Sequence, residues 1–315
     1  MRSVLFVINE LETLQPTQST AALIAALAEA GHTAWVCGTN ELSLTPGGVV
    51  ALARRWSGSV SATRGAPRVA VPAGELDAAW VRTNPGRSTS GQAWIQLLFQ
   101  LQDAGVLVRN APTGLLRAAS KLHLGSLPAD TVPQTWASSD PVWLGSVLDA
   151  QGQTMVLKPA LGTRGAGVVR LQPGAPDQAA LLATATAGGP ALLQTYIPDA
   201  PAGDIRMHVV DGELFEVDGA VCAVTRVPAS GEWRSNVALG GTPTRAAISD
   251  AHRALVASVG PVLRAHGLWH VGLDVVGNLV VECNVFSPGG LTDAAEFTNT
   301  PFVEALAARF IDALP

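Results

Sequence analysis

Charge is scarce in this chain, and what there is does not lean basic. Only 14% of its 315 residues are Asp, Glu, Lys or Arg, and the formal net charge is −5. A nucleic-acid partner would call for a basic face, so the balance argues against that class. Cysteine is equally sparse. Cys37, Cys222 and Cys283 are scattered, no C-x-x-C pair occurs, and an odd count does not make a disulfide framework. The opening run MRSVLFVINE is too short to span a membrane, and no small-residue cleavage site follows it. The expectation is a cytoplasmic protein with no membrane partner. There is no internal repeat, no Walker spacing and no Ser-His-Asp arrangement. Among the six histidines only His266 and His270 have a spacing that one helical face could use. Gly267 ends the helix between them, so they should not converge on a metal.

Apolar residues make up 48% of the chain, enough for a sizeable core, and the length suits two or three packed lobes. Ser3–Ile8 reads as a buried strand, 19–30 as a helix capped by Thr17 or Ser19 and closed by Gly31, and 34–37 as a second strand. A strand at 78–81, a helix over 92–104 and a strand at 106–109 continue an alternation that implies a doubly wound α/β domain. The composition shifts near Ala118. A strand at 156–159 enters a glycine-rich loop and returns at 168–171; a turn at 173–177 leads into an Ala-rich helix. Leu192–Ile197 is read as the start of the last lobe. There 207–210 and 213–217 flank Asp211-Gly212, a hairpin signal, before a helix over 249–266, two strands and a terminal helix over 300–314.

Three motifs carry chemistry. In VLKPALGTRGAGVVR a strand delivers Lys158, and Gly162, Gly165 and Gly167 free the following loop of side-chain bulk. Its backbone N–H groups could lie against phosphate oxygens, with Lys158 as a point charge. An ordinary glycine hairpin is the competing account. In VGLDVVGNLVVECNVFSPGG, Asp274 sits in an apolar strand, and Glu282 and Asn284 sit two apart in the next, on one face, with Cys283 opposite. Three oxygen ligands suit Mg²⁺; arginine pairing of the carboxylate is the alternative. If Gly277-Asn278 formed a plain two-residue turn, Asp274 would pair with Val281 and Glu282 would face the wrong way, so an odd loop or a bulge is expected. Arg206, Arg226 and Arg234 form the third set, placed to neutralise a phosphoryl group or hold a carboxylate, or else to form surface salt bridges. Lys121, in AASKLHL, reads most plainly as a helix-surface lysine.

The order Lys121, Lys158 with its glycine loop, the arginines, then Asp274-Glu282-Asn284 resembles the ATP-grasp superfamily. The phrases IPDAPAGDIRMHVVDGE, RVPASGEWRSNVALGG, VGPVLRAHGL, HVGLDVVG and ECNVFSP resemble bacterial glutathione synthetases, and WVRTNP and the opening strand extend the likeness loosely to the N-terminus. The resemblance implies an N-terminal doubly wound α/β substrate-binding domain (1–118), a lid lobe with the glycine loop (119–192) and a C-terminal lobe with the metal site (193–315), the last two forming an α+β ATP-grasp fold. It implies a ligase that activates a carboxylate as an acylphosphate and joins it to an amine, with ATP and Mg²⁺ (Mn²⁺ also fitting) as cofactors and small-molecule partners, in a possible homo-oligomer. Lys121, Lys158 and Gly162 to Gly167 would contact phosphates, and Gln194, Tyr196 and Ile197 the adenine. Asp274, Glu282 and Asn284 would hold the metal. Arg206, Arg226, Arg234 and Asn236 would stabilise the phosphates and the acylphosphate.

Departures fall on the substrate positions. Leu161, Asn9, Asn84-Pro85-Gly86 and Phe286 replace, in turn, an acidic residue, an Asp, an acidic-Pro-Pro run and a small Thr of the resembled family. The loop G-T-x-G-x-G is more similar to that of ribosomal-protein glutamate ligases. γ-Glutamylcysteine plus glycine is the leading pair. Another dipeptide, amino acid or peptide terminus is the alternative, and a catalytically silent nucleotide-binding module is a third.

Overall fold

A computed structural model describes residues 1–83, 93–162, 165–235 and 240–315. The N-terminal domain runs β1 (Ser3–Ile8), α1 (Ser19–Glu29), β2 (Thr33–Gly38), β3 (Leu42–Thr45), β4 (Gly48–Arg55), α2 (Val60–Gly65), β5 (Val69–Pro72), β6 (Ala78–Val81), α3 (Ile95–Asp103), β7 (Leu107–Arg109) and α4 (Pro112–Arg117). Strands β2, β1, β6 and β7 are parallel neighbours, the wound arrangement expected from the apolar runs. The antiparallel meander β3–β4–β5 on the β2 edge is an addition that the sequence reading lacks. The N-cap of α1 is Gln18, with no side-chain bond, so neither Thr17 nor Ser19 caps it; Gly31, at φ +86°, follows its end as expected.

The middle lobe begins with a 3₁₀ turn at Lys121–Ser126 and contains β8 (Thr135–Ser138), α5 (Pro141–Gln151), β9 (Met155–Pro159), β10 (Val169–Leu171), α6 (Gln178–Thr186) and β11 (Ala191–Thr195). Its antiparallel sheet has the order β10-β9-β11-β8. This corrects the expected lobe boundary at 192/193. Strand β11 does not open the last lobe; it lies between β9 and β8, and Leu192 and Leu193 are fully buried there, as a strand covered on both sides requires. The lobe has a core of its own, in which Leu144 and Leu148 of α5 and Leu182 of α6 meet Leu157 and Leu193.

The last lobe runs β12 (Asp204–Val210), β13 (Glu213–Leu214), β14 (Glu216–Val217), β15 (Ala220–Val221), β16 (Ala223–Val227), β17 (Thr242–Arg245), α7 (Asp250–Ala265), β18 (His270–Val276), β19 (Leu279–Asn284), α8 (Leu291–Thr298) and α9 (Phe302–Asp312). Its antiparallel sheet has the order β17-β16-β12-β18-β19, with β13 on β12. Asp211 and Gly212 both take positive φ, so the expected turn forms and pairs Val210 with Glu213. The expected single strand over 213–217 is instead broken at the buried Phe215.

This lobe shares its core with the N-terminal domain. Phe310 of α9 stacks on Trp80 of β6 at 4.3 Å, and Trp269 meets both rings edge-on. Asn110 is buried between them: its Nδ2 donates to the carbonyls of His270 and Val285, and its Oδ1 accepts from the His270 N–H. Two lobes therefore form one packed unit, and the separately cored middle lobe stands against it.

Candidate active site

The site grows from one register. Across β16, β12, β18 and β19, Arg226 faces Asp204, Arg206 faces Asp274, and Asp274 faces Glu282. Alternation puts these polar side chains on one sheet face and sends Met207, Leu273 and Val275 into the core on the other. The Gly277-Asn278 turn is a plain two-residue turn, pairing Val276 with Leu279, and a register shift next to Asp274 skips Val281. That bulge is what returns Glu282 to the Asp274 face. Asn284, opposite Gly272, joins them; its Nδ2 donates to Asp274 Oδ2 at 3.2 Å. Cys283 faces the core, and burial pushes its thiol far up, so it is no nucleophile.

The carboxylates are closely engaged. Arg206 forks onto Asp274 at 2.6 and 2.8 Å. Arg226 forks onto Asp204 at 2.7 and 2.6 Å and also reaches Asp274 Oδ2 at 2.7 Å. Burial alone would raise the Asp274 carboxyl; the two guanidiniums outweigh it and hold it well below the usual carboxylate range. Asp204 moves the other way, pushed up by burial and by Asp274 against the pull of Arg226. Glu282 is also raised, by burial and then by Asp274, and its ion pair among the described residues is a long one to Lys121 Nζ at 3.9 Å. No cluster of three His, Cys, Asp or Glu within metal reach occurs among the described residues. The donor set nevertheless fits a hard cation: two facing carboxylates, one of them poorly paired, and an Asn284 whose amide N–H groups are directed elsewhere, leaving Oδ1 as an acceptor.

The middle lobe supplies cations from above. Lys121, expected on a helix surface, lies in the 3₁₀ turn instead and donates from Nζ to the Gly162 carbonyl at 2.7 Å. Lys158 is buried, its Nζ on the Val281 carbonyl at 3.2 Å, and burial lowers it to about 8 although Glu282 pulls it back up. Gly162, Gly165 and Gly167 all adopt positive φ, so backbone conformation is a second reason for glycine there, beyond freedom from bulk. Arg234 does not reach the Asp274 row in this structure. It pairs with Glu232 and donates to the carbonyls of Gly165 and Val168, holding the loop's return strand to the last lobe. Asn236, Thr163, Arg164 and Asn84-Pro85-Gly86 lie outside the described residues.

Gln194, Tyr196 and Ile197 line an interlobe cavity of about 130 Å³ with Lys158, Trp233 and Glu282. Gln194 is held by Thr135 Oγ1 at 2.7 Å. Arg170 stacks 5.5 Å from both the Tyr196 and Trp233 rings, a cation–π contact joining the lobes. Beside it opens a larger cleft of about 580 Å³, lined among others by Lys121, Gly162, Arg206, Arg226, Glu282 and Phe286. Phe286 borders this cleft while its ring packs edge-on against Trp94 at 6.5 Å; Leu161 is exposed. The sequence reading missed Asp204, Trp233 and Arg170. Asp204 carries a usable signal, being two residues before Arg206 in an apolar strand; Trp233 and Arg170 carry none, since their meeting is interlobe.

The chain is similar to known proteins along its whole length. The family described as prokaryotic glutathione synthetase matches through its N-terminal domain at residues 2–116 and its ATP-grasp domain at 120–299. The glutathione synthetase of Parasynechococcus marenigrum is 33% identical over 308 residues, 97% of each chain. That of Prochlorococcus marinus is 31% identical over 98% of this chain and 99% of its own. Among solved structures, a D-cycloserine synthetase shares the fold with a TM-score of 0.67 at 18% identity, over 98% of this chain and 99% of that one.

Proposed function

Because the chain belongs to the prokaryotic glutathione synthetase family, and so to the ATP-grasp ligases, we propose that it makes glutathione from γ-glutamylcysteine and glycine with ATP and Mg²⁺. The observation that carries this reading is the row Arg206–Asp274–Glu282 on one sheet face, facing Lys121 and Lys158 from the other lobe. Arg206, Arg226, Lys121 and Lys158 are four cations against the three carboxylates of Asp204, Asp274 and Glu282, an excess suited to an entering polyphosphate.

In this reading the cysteinyl carboxylate oxygen attacks the γ-phosphorus of ATP. An acylphosphate forms and ADP leaves. The glycine amine then attacks the acyl carbon, phosphate departs with the C–O electron pair, and the amine proton passes to solvent or phosphate. Lys121 and Lys158 orient the polyphosphate, and Arg206 and Arg226 compensate charge on the transferring group as they loosen from Asp274 and Asp204. Asp274, Glu282 and Asn284 would hold Mg²⁺, which supplies charge neutralisation at the phosphates. The glycine loop, whose Gly165 carbonyl accepts from Arg234, would keep water from the acylphosphate.

Phe286, which borders the cleft, favours a second reading in which a different carboxylate–amine pair is joined. A screen of acid and amine pairs, read by phosphate release and product mass, tests both. Phosphate release and glutathione mass with γ-glutamylcysteine and glycine are expected; release only with another pair would replace the substrate assignment, and no release with any pair would overturn the ligase reading.

A further inference from the structure

The sheet face that carries Arg206 and Asp274 continues past them. His208 lies two residues beyond Arg206 on β12, and His270 lies four before Asp274 on β18, so alternation puts both rings on that same face. Both are buried, with ring centroids 5.3 Å apart and His208 Nδ1 3.0 Å from His270 Nε2. On the other side of His270, Nδ1 meets Arg82 Nη1 at 3.5 Å. Arg82 is buried too and has no ion pair among the described residues. Its Nη2 donates to the Pro288 carbonyl at 3.1 Å and its Nε to Thr20 Oγ1 at 3.2 Å. Neither histidine has a part in the chemical steps above.

The direction of these hydrogen bonds can be worked out. Burial, then the charges of Arg206 and Arg82, lowers His208 to about 3 against the pull of Asp274 and the Gly289 backbone. Burial, then His208 and Arg82, holds His270 well below its ordinary value, so both rings are neutral at neutral pH. A neutral imidazole has one donor and one acceptor nitrogen, whereas a guanidinium only donates. Arg82 therefore makes His270 Nδ1 the acceptor and leaves the proton on Nε2. That proton is donated to His208 Nδ1, which leaves the second proton on His208 Nε2. This last nitrogen is buried and makes no full hydrogen bond among the described residues; the group it faces is the Gly289 backbone, which favours a proton on the ring and so presents its carbonyl. Both branches from Arg82 thus end on one short segment, at Pro288 directly and at Gly289 through the two rings.

That segment lies close on the sheet. A Cβ on Gly272 would come within 2.7 Å of Pro288 Cβ, and one on Gly290 within 3.0 Å of Val224 Cγ2. Ser287, Gly289 and Gly290 also border the larger cleft together with Arg206. We infer that Arg82, His270 and His208 form a hydrogen-bond relay of fixed direction that sets the 287–290 wall of the larger cleft, so that His208 and His270 are positioning residues for the reaction carried out there. This rests on the ligase reading of that cleft. Apolar side chains could fill the same space, but they would leave the Gly289 carbonyl without a donor and the wall free to shift. A displacement of about 1 Å in a wall that positions reacting groups can cost about a hundredfold in rate.

Two measurements on the full chain test this. Nitrogen NMR of histidine-labelled protein at pH 7 should show His208 and His270 neutral and both in the Nε2–H form. His208→Leu should displace the Gly289 and Gly290 amide resonances and lower kcat/KM for γ-glutamylcysteine, with ATP and glycine, about tenfold or more, while affinity for a non-hydrolysable ATP analogue stays within about twofold. His208→Gln, which keeps an N–H donor toward Gly289, should recover most of that loss. The NMR measurement on the unmodified chain keeps the test valid if His208→Leu does not fold. An Nδ1–H form or a charged ring at either position overturns the inference. So does unchanged kcat/KM in His208→Leu, an equal fall in nucleotide affinity, or no recovery in His208→Gln. Nε2–H forms with no phosphate release from any acid–amine pair would sink the ligase reading and leave the relay; release with an Nδ1–H form would do the reverse.

Discussion

Lys158 should impose a descending alkaline limb on nucleotide affinity. Its ammonium is 7% exposed, has a carbonyl at 3.2 Å as its hydrogen-bond acceptor, and titrates at about 8. Burial is the main cause, with Lys121 lowering it further and Glu282 and Asp274 opposing. With that value roughly nine-tenths of the free protein carries the charge at pH 7 and roughly one-tenth at pH 9. If a charged Lys158 is needed against the polyphosphate, the affinity for an ATP analogue should fall about tenfold between pH 7 and pH 9. Lys158→Arg, charged throughout, should flatten that limb. The same burial bears on stability. Between about pH 8 and pH 10.5 the unfolded chain holds a proton that the folded one has released, so stability rises with pH across that window. The penalty in force below pH 8 is about 3 kcal/mol. Lys158→Met, similar in length and uncharged, should therefore be more stable at pH 7 by about 2 kcal/mol once the lost Val281 bond is discounted, while binding nucleotide poorly. The measurements are calorimetric titration from pH 7 to pH 9.5 and denaturant melts at pH 7. Nucleotide affinity that stays flat to pH 9.5 in the unmodified protein would refute the assignment of Lys158 to the polyphosphate.

Three other outcomes follow from the site. Glu282→Gln keeps the side chain's shape but removes a charge from the proposed metal set. Turnover should drop about a hundredfold or more with little change in thermal melting, and near-normal phosphate release would remove Glu282 from the site. Asp274→Ala removes the carboxylate partner of the largely buried Arg206 and leaves it beside Arg226, which keeps Asp204, and a denaturant melt should show a loss of about 3–5 kcal/mol; a loss under about 1 kcal/mol would mean that Arg206 relaxes into solvent. Phe286→Thr should raise glutathione formation, measured by mass, while costing about 3 kcal/mol of stability from the ring packed on Trp94; unchanged product yield would remove Phe286 as a specificity determinant.

The chain order of charged residues within apolar strands singled out most of the residues that the fold brings together in the candidate site. Lys158, Arg206, Asp274 and Glu282 stand out locally because a charge in an apolar strand demands a partner, and period-two alternation says which face it takes. The need for an irregularity before Glu282 also followed from counting residues back from the Gly277-Asn278 turn. That the irregularity is a bulge at Val281, offering its carbonyl to Lys158, depended on how another lobe packs. The same holds for β11, whose apolar run fits either lobe until β8 and β9 close on its two edges. Lys121 looked like a surface residue because nothing adjacent in sequence reveals the Gly162 carbonyl that receives it. The partners of Arg82 likewise needed the fold, since Thr20, His270 and Pro288 are brought together from α1, β18 and the 287–290 segment at opposite ends of the chain. Local periodicity determines faces and turns, because it acts over a few residues. Which carboxylate meets which cation, and which charge is left without a partner, is decided only when distant segments pack.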